Sequence, residues 1–84
     1  MSQEETIADR VMSIVAINTG YDLEELATDA HFEDDLGMTE ADFLRVITKI
    51  NKEFDISLKA AVLYEEITTV EELVALVEDE TLWG

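Results

Sequence analysis

The sequence lacks cysteine, has few basic residues and contains no long apolar run. Without cysteine it can form no disulfide bond, no thiolate zinc site and no cysteine nucleophile. The acidic start MSQEETIADR has no apolar core of a signal peptide. No segment approaches the ~18 apolar residues that a membrane span needs. We therefore expect a cytoplasmic protein that does not enter a membrane.

The charge balance is strongly acidic, because 21 Asp and Glu face only 5 Lys and Arg and give a formal net charge of -16. Nucleic acids and anionic lipid surfaces attract proteins through Lys and Arg. We therefore expect neither nucleic acid nor a membrane as a partner. The expected partner is another protein, which binds to a monomer of this chain.

Hydrophobic residues make up 48% of the chain, which is too many for a disordered acidic segment. A chain of this length forms one domain, residues 1–84, and is too small for a large enzyme cleft. We therefore expect no enzymatic activity. Residues 79–84 are predicted to form a mobile tail.

Apolar residues recur at helical spacing in three segments, which predicts three helices. Each segment has a start signal, because Ser or Thr is followed three residues later by Asp or Glu, the pattern of a capping box. These pairs are Ser2 with Glu5, Thr39 with Asp42, and Thr69 with Glu72. The apolar stripes are Ile7, Val11, Ile14 and Val15; Phe43, Val46, Ile47, Ile50 and Phe54; and Val70, Leu73, Val74 and Val77.

The segments between these helices are less regular. Residues 57–66 predict either a short third helix or an irregular turn, and residues 20–38 predict a long loop in which one helical turn begins at Asp22. No convincing strand pattern is present. The predicted fold class is all-α, a small four-helix bundle with a long loop between helices one and two.

The stretch FEDDLGMTEADFLRVITKINKEFDI, residues 32–56, resembles the acyl carrier protein family. Its first six residues stand where that family has phenylalanine, an acidic pair and Leu-Gly, and the spacing from Gly37 to Phe54 needs no gap. ITTVEEL, residues 67–73, is similar to the start of the family's last helix. The match over residues 55–67 is looser and needs one inserted residue. The resemblance implies the family's four-helix fold.

The chain departs from the family at one functional position. In the family, Leu-Gly is followed by a small residue and then Asp-Ser-Leu, whose serine takes a phosphopantetheine arm. Here those three positions read Thr39, Glu40 and Ala41, so Glu40 occupies the serine position. Because a carboxylate offers no hydroxyl nucleophile, we expect phosphopantetheine to be absent. Thr39 is the alternative attachment site, although its spacing to Asp42 also suits a helix N-cap.

Two interpretations of Glu40 are open. An acidic residue in the first turn of a helix is stabilised by the helix macrodipole, by about 0.3–1 kcal/mol. Alternatively, its carboxylate could imitate the negative phosphodiester of a loaded carrier.

Four of the five basic residues lie between residues 45 and 59. Arg45, Lys49 and Lys52 follow i, i+4, i+7 spacing, which places them on one helix face opposite the core stripe. In acyl carrier proteins that helix is usually acidic and docks on basic surfaces, so a cationic face predicts an acidic partner surface. A solvated face with a Lys49–Glu53 ion pair is the alternative. The residues predicted to bind a partner are Met38, Leu44, Arg45, Lys49 and Lys52. Met38 and Leu44 are expected to be exposed beside the cationic residues.

A calcium loop is a weaker alternative for residues 29–40. Asp29, His31, Glu33 and Glu40 fall at ligand positions 1, 3, 5 and 12 of such a loop. The sixth position requires glycine and is Asp34 here, so we expect no metal site.

Together these features predict a non-catalytic, carrier-protein-like binding or scaffold module. The resemblance implies a place near fatty acid, polyketide or peptide synthesis, with a biosynthetic enzyme or an assembly factor as the partner. The first alternative is a true acyl or peptidyl carrier with an unusual attachment site. The second is a calcium-binding helix-loop-helix protein.

Overall fold

The computed structural model describes residues 6–83, with the backbone alone for Leu82 and Trp83. It confirms the predicted all-α bundle. The helices are α1 (Ile7–Thr19), α2 (Glu40–Phe54), α3 (Ala60–Glu66) and α4 (Val70–Trp83), and a 3-10 turn, Leu23–Glu25, lies in the long loop. None of the helices between residues 6 and 83 has the length and apolar character needed to cross a bilayer.

Thr6 is the N-cap of helix α1. The Thr6 hydroxyl accepts a hydrogen bond from the Asp9 amide at 3.1 Å, and the Asp9 carboxylate accepts one from the Thr6 amide at 3.3 Å. The start predicted from Ser2 and Glu5 lies outside the described residues. At the other end, Gly20 adopts a left-handed φ of +81°, the conformation in which a glycine commonly ends a helix.

Helix α3 is a regular helix, which resolves the choice left open for residues 57–66. Its approach is held by Asn51 near the end of α2. The Asn51 side chain accepts from the Leu58 amide at 2.8 Å and donates to the Leu58 carbonyl at 3.1 Å. This pair of bonds fixes the connection from α2 to α3 and leaves no polar side-chain atom of Asn51 without a partner.

Helix α4 begins with the predicted pair of Thr69 and Glu72. The Glu72 carboxylate accepts hydrogen bonds from the backbone amides of Thr68 at 2.8 Å and Thr69 at 3.0 Å. The helix continues to Trp83, so the predicted tail, residues 79–84, is helical as far as residue 83. The mobility of that tail stays a prediction, and residue 84 lies outside the described residues.

The core lies where α1 packs against α2 and α4, and α2 packs against α3. Its buried centre includes Phe43, Ile47, Ile50 and Leu73, all at 1% exposure or less. The long loop also contributes buried residues, which are Leu26, Ala30, Phe32 and Met38. The loop therefore forms part of the packed structure.

Hydrogen bonds attach the long loop to the start of α4. The Phe32 amide donates to the Thr68 carbonyl at 2.9 Å, and the Val70 amide donates to the Ala30 carbonyl at 3.1 Å. His31 and Thr69 form an isolated antiparallel β-bridge, a single backbone pairing outside any strand. Because these bonds hold residues 30–32, the chain that follows reaches the start of α2 in a defined position.

We expect replacement of Glu72 by glutamine to reduce stability at neutral pH but not in acid. The backbone amides of Thr68 and Thr69 lower the pKa of Glu72, because they donate to its ionised form. A lowered pKa stabilises the fold above the unfolded-state pKa, and this stabilisation is lost as the pH falls through the folded-state pKa. Thermal unfolding at about pH 7 and about pH 2.5 measures the difference.

Glu71→Gln is the matched control for Glu72→Gln. It removes the same charge from the first turn of α4, so any relief of repulsion within the acidic chain is equal in both variants. The Tm of Glu72→Gln should lie below that of Glu71→Gln at neutral pH and match it in acid. Equal Tm values at both pH values would show that the cap does not contribute.

Candidate functional site

The turn before α2 determines the position of Thr39 and Glu40, the residues of the predicted site. Gly37 has φ +64°, a left-handed conformation that suits a residue without Cβ. The next amide, that of Met38, donates to the Phe32 carbonyl at 2.8 Å. These constraints place Thr39 in extended backbone geometry at the start of α2, where it is the N-cap.

Thr39 and Asp42 form the predicted capping box. The Thr39 hydroxyl accepts from the Asp42 amide at 3.2 Å, and the Asp42 carboxylate accepts from the Thr39 amide at 3.1 Å. The Thr39 hydroxyl oxygen therefore caps the N-terminus of α2, and the residue is exposed. Thr39 is thus the N-cap of α2 and an exposed residue.

Glu40 is the first residue of α2, and it is exposed. Burial raises the pKa of Tyr64 in α3, and the negative charges of Glu33 and Glu40 raise this pKa further. Glu40 therefore presents an exposed carboxylate at the first position of α2.

Aromatic side chains fill the space beneath this surface. The ring of Phe43 lies 5.3 Å from that of Phe32 and 5.5 Å from that of Tyr64, measured between centroids. The remaining cavity, bordered also by Ile67 and Thr68, measures about 100 Å³. Pockets that enclose small-molecule ligands typically measure about 300–1,000 Å³, so this cavity is too small for such a ligand.

The residues of the calcium alternative do not form a ligand set. Between residues 6 and 83, no three Asp, Glu or His side chains converge in a way that could hold a metal ion. His31 instead pairs with Asp35, whose carboxylate accepts from the His31 amide at 2.8 Å and lies 3.3 Å from His31 Nδ1. The backbone hydrogen bond from His31 lowers the pKa of Asp35. The left-handed residue of the loop is Gly37, not Asp34.

The predicted exposure of Met38 is wrong. Its side chain is buried at 3% exposure and belongs to the core. Met38 precedes the N-cap and Phe43 is the fourth helical residue, which are the two positions of a hydrophobic staple. Since both residues belong to the core cluster, Met38 is not available to a partner. The staple spacing in the sequence is the signal that indicates this burial.

The other predicted partner-binding residues share one exposed face of α2. Arg45, Lys49 and Lys52 are exposed, as is Leu44 at 40%. Arg45 lies 3.6 Å from a carboxylate oxygen of Asp42. The exposure of this face is as expected from helical spacing, whereas partner binding stays a prediction.

The predicted ion pair between Lys49 and Glu53 is wrong, because Glu53 pairs with Arg10 of α1. Arg10 Nε donates to Glu53 Oε2 at 3.1 Å, and the guanidinium lies 4.5 Å from the centre of the Phe54 ring. A planar guanidinium can combine these two contacts. Arg10 therefore binds Glu53 and leaves Lys49 without its predicted partner.

Sequence reasoning missed Ile17, which lies on α1 beside the cationic face and is 77% exposed. Arg10, Ile14 and Ile17 follow i, i+4, i+7 spacing and share one face of α1. That spacing is the signal that could have linked α1 to the predicted surface.

Comparisons with known proteins identify the family. Residues 9–77 match the family model described as "Phosphopantetheine attachment site". The chain is 32% identical over 80 residues to an acyl carrier protein of Cyanidium caldarium, which covers 95% of this chain and 92% of the relative. It is 35% identical over 75 residues to one of Streptococcus thermophilus, with 89% and 96% covered. This chain belongs to the acyl carrier protein family.

The solved structures include a similar fold. The NMR structure of the HMG-ACPI domain from the CurA module of Lyngbya majuscula superposes with a TM-score of 0.75 at 24% sequence identity. The match covers 100% of this chain and 90% of that domain. At this identity the likeness supports the fold alone.

Proposed function

We propose that this chain is a non-catalytic, carrier-type binding module that carries no phosphopantetheine at the start of α2. The observation that supports the proposal is the exposed carboxylate of Glu40 at the position where the family resemblance places a serine. Its partners are proteins of a biosynthetic assembly such as those that make fatty acids, polyketides or peptides.

The chemistry of Glu40 does not suit the arm. The family's serine provides a hydroxyl oxygen that becomes part of a phosphodiester. A carboxylate is a poor nucleophile toward phosphorus, and its product would be a mixed anhydride that water cleaves readily. Ser57 lies before α3 and Ser13 lies within α1, so neither is at the start of α2.

The second candidate function is that of a true carrier, with the arm on Thr39. It is supported by the family match across residues 9–77 and by relatives that are named acyl carrier proteins. Thr39 is exposed, and it is adjacent to the position where the family resemblance places the serine. Because the same oxygen caps α2, an arm on Thr39 would disturb the hydrogen bond from Asp42.

Intact mass spectrometry after co-expression with a promiscuous phosphopantetheinyl transferase tests the two functions. We expect the mass of the unmodified chain, while a carrier with the family's serine, treated in parallel, gains one arm. A mass increase of one arm would contradict the proposal. If Thr39→Val then abolished the increase, the arm would be on Thr39 and the second candidate would replace the first.

A further inference from the structure

A groove lies between α1 and α2 on the cationic side of the molecule. Its volume is about 310 Å³. The residues that line this α1–α2 groove are Ile14, Ile17, Asn18, Lys49, Lys52 and Glu53. A second shallow groove of about 370 Å³ shares Lys49 and Lys52 and extends along α2 to Leu44 and Arg45. Lys49 and Lys52 therefore border both grooves.

Exposed aliphatic side chains lie on both sides of these lysines. Ile17 is 77% exposed and Leu44 is 40% exposed. Ile17 is the most exposed large hydrophobic residue in the part of the chain that the structure describes. A single exposed aliphatic residue is ordinary, but here the aliphatic residues border a groove that also contains cations. The surface is therefore amphipathic.

The lysines of the groove have no counter-ion within the described residues. No Asp or Glu oxygen of residues 6–83 lies within 4.0 Å of either ammonium group. Glu53 is the acidic residue that borders them, and its carboxylate is bound by Arg10 from across the α1–α2 contact. The Arg10–Glu53 pair thus preserves a local positive charge in a chain whose net charge is -16.

We propose that the α1–α2 groove binds an acidic amphipathic helix of a partner protein. An apolar side chain of that helix would lie against Ile14 and Ile17, and its carboxylates would pair with Lys49 and Lys52. A helix with apolar and charged residues at i, i+3, i+4 and i+7 presents both groups to a groove. This inference rests on one part of the proposed function, which is that the chain binds a protein partner. It does not depend on the absence of phosphopantetheine.

The net charge explains why this groove would select its partner. Nucleic acids and a second copy of this chain carry many negative charges. The net charge of -16 on this chain would repel them. A short helix with a few carboxylates meets mainly the local cations, because at physiological salt charges beyond about 8 Å are largely screened. The groove therefore favours a local acidic motif over a polyanion.

The test uses synthetic amphipathic peptides of about 16 residues, long enough for four helical turns. One set has leucines on one face flanked by glutamates, and the matched set replaces the glutamates with lysines. The ¹⁵N-labelled full chain is titrated with each peptide at physiological salt and followed by NMR. We expect the acidic peptides to shift resonances of residues 14–18 and 44–53, and the basic peptides not to bind there.

Charge-reversal and apolar variants test the same contacts. Lys49→Glu with Lys52→Glu should weaken binding of the acidic peptide about tenfold or more, since each attractive pair becomes repulsive. Lys59→Glu is the charge control, because Lys59 is exposed but lies outside the groove. Ile17→Ser should also weaken binding, whereas Val62→Ser, at an exposed site on α3, should not.

Three results would overturn the inference. They are absence of binding by every acidic peptide, shifts confined to another surface, and equal affinity for the double charge-reversal variant and Lys59→Glu. Dispersed NMR spectra of each variant establish that it is folded. Failure here would leave the mass measurement on Glu40 unaffected, so it would not by itself contradict the absence of the arm.

Discussion

Replacement of Phe43 by alanine is expected to lower the free energy of unfolding by about 3–5 kcal/mol. The side chain is fully buried, and its ring lies between those of Phe32 and Tyr64. Its removal would leave a cavity where the loop, α2 and α3 meet. In a domain of this size a loss of 3–5 kcal/mol corresponds to a fall in Tm on the order of 20 °C. Calorimetry and urea unfolding measure the change.

Leu44→Ala is the matched control, because it lies next to Phe43 in the same helix but is 40% exposed. Both substitutions introduce alanine into α2, so helix propensity changes little in either case. We expect Leu44→Ala to lower the free energy of unfolding by less than about 1 kcal/mol. Comparable losses in the two variants would mean that the aromatic cluster is not the centre of the core.

Glu40→Ser combined with charge reversal of the α2 face is expected to gain a phosphopantetheine arm. The first change supplies the hydroxyl, and Arg45→Glu, Lys49→Glu and Lys52→Glu restore the acidic helix that the family resemblance associates with docking. Electrostatic steering changes association rates by about 10- to 1,000-fold. We therefore expect the variant with all four substitutions to be modified at least about tenfold faster than Glu40→Ser alone, as followed by intact mass over time.

Two further variants separate the hydroxyl from the charge. The three reversals with Glu40 retained should remain unmodified, since no hydroxyl is present at that position. Glu40→Ser with Lys59→Glu should behave like Glu40→Ser alone, because Lys59 lies at the N-cap of α3, outside the α2 face. If Glu40→Ser alone were modified as fast as the variant with all four substitutions, the cationic face would not hinder the transferase.

Local sequence patterns determined three of the helices, α1, α2 and α4, and the starts of α2 and α4. The spacing of Phe43, Ile47 and Ile50 predicts a buried stripe, and all three are buried. The Thr39–Asp42 pair predicts the start of α2, where its capping box is present. Such features depend on residues three or four positions apart, and these distances are the same in every α-helix. The carboxylate at residue 40 is likewise visible in the sequence.

Tertiary packing determined which side chains were free to bind. Met38 is buried because the loop folds onto the core, and Glu53 pairs with Arg10 because α1 lies beside α2. Helical spacing alone placed Glu53 equally well beside Lys49. The contact between residues 10 and 53 depends on how two helices pack across 43 positions of sequence. No local pattern encodes that distance. The lack of a counter-ion for Lys49 and Lys52 among residues 6–83, and the groove beside Ile17, therefore follow only from the folded chain.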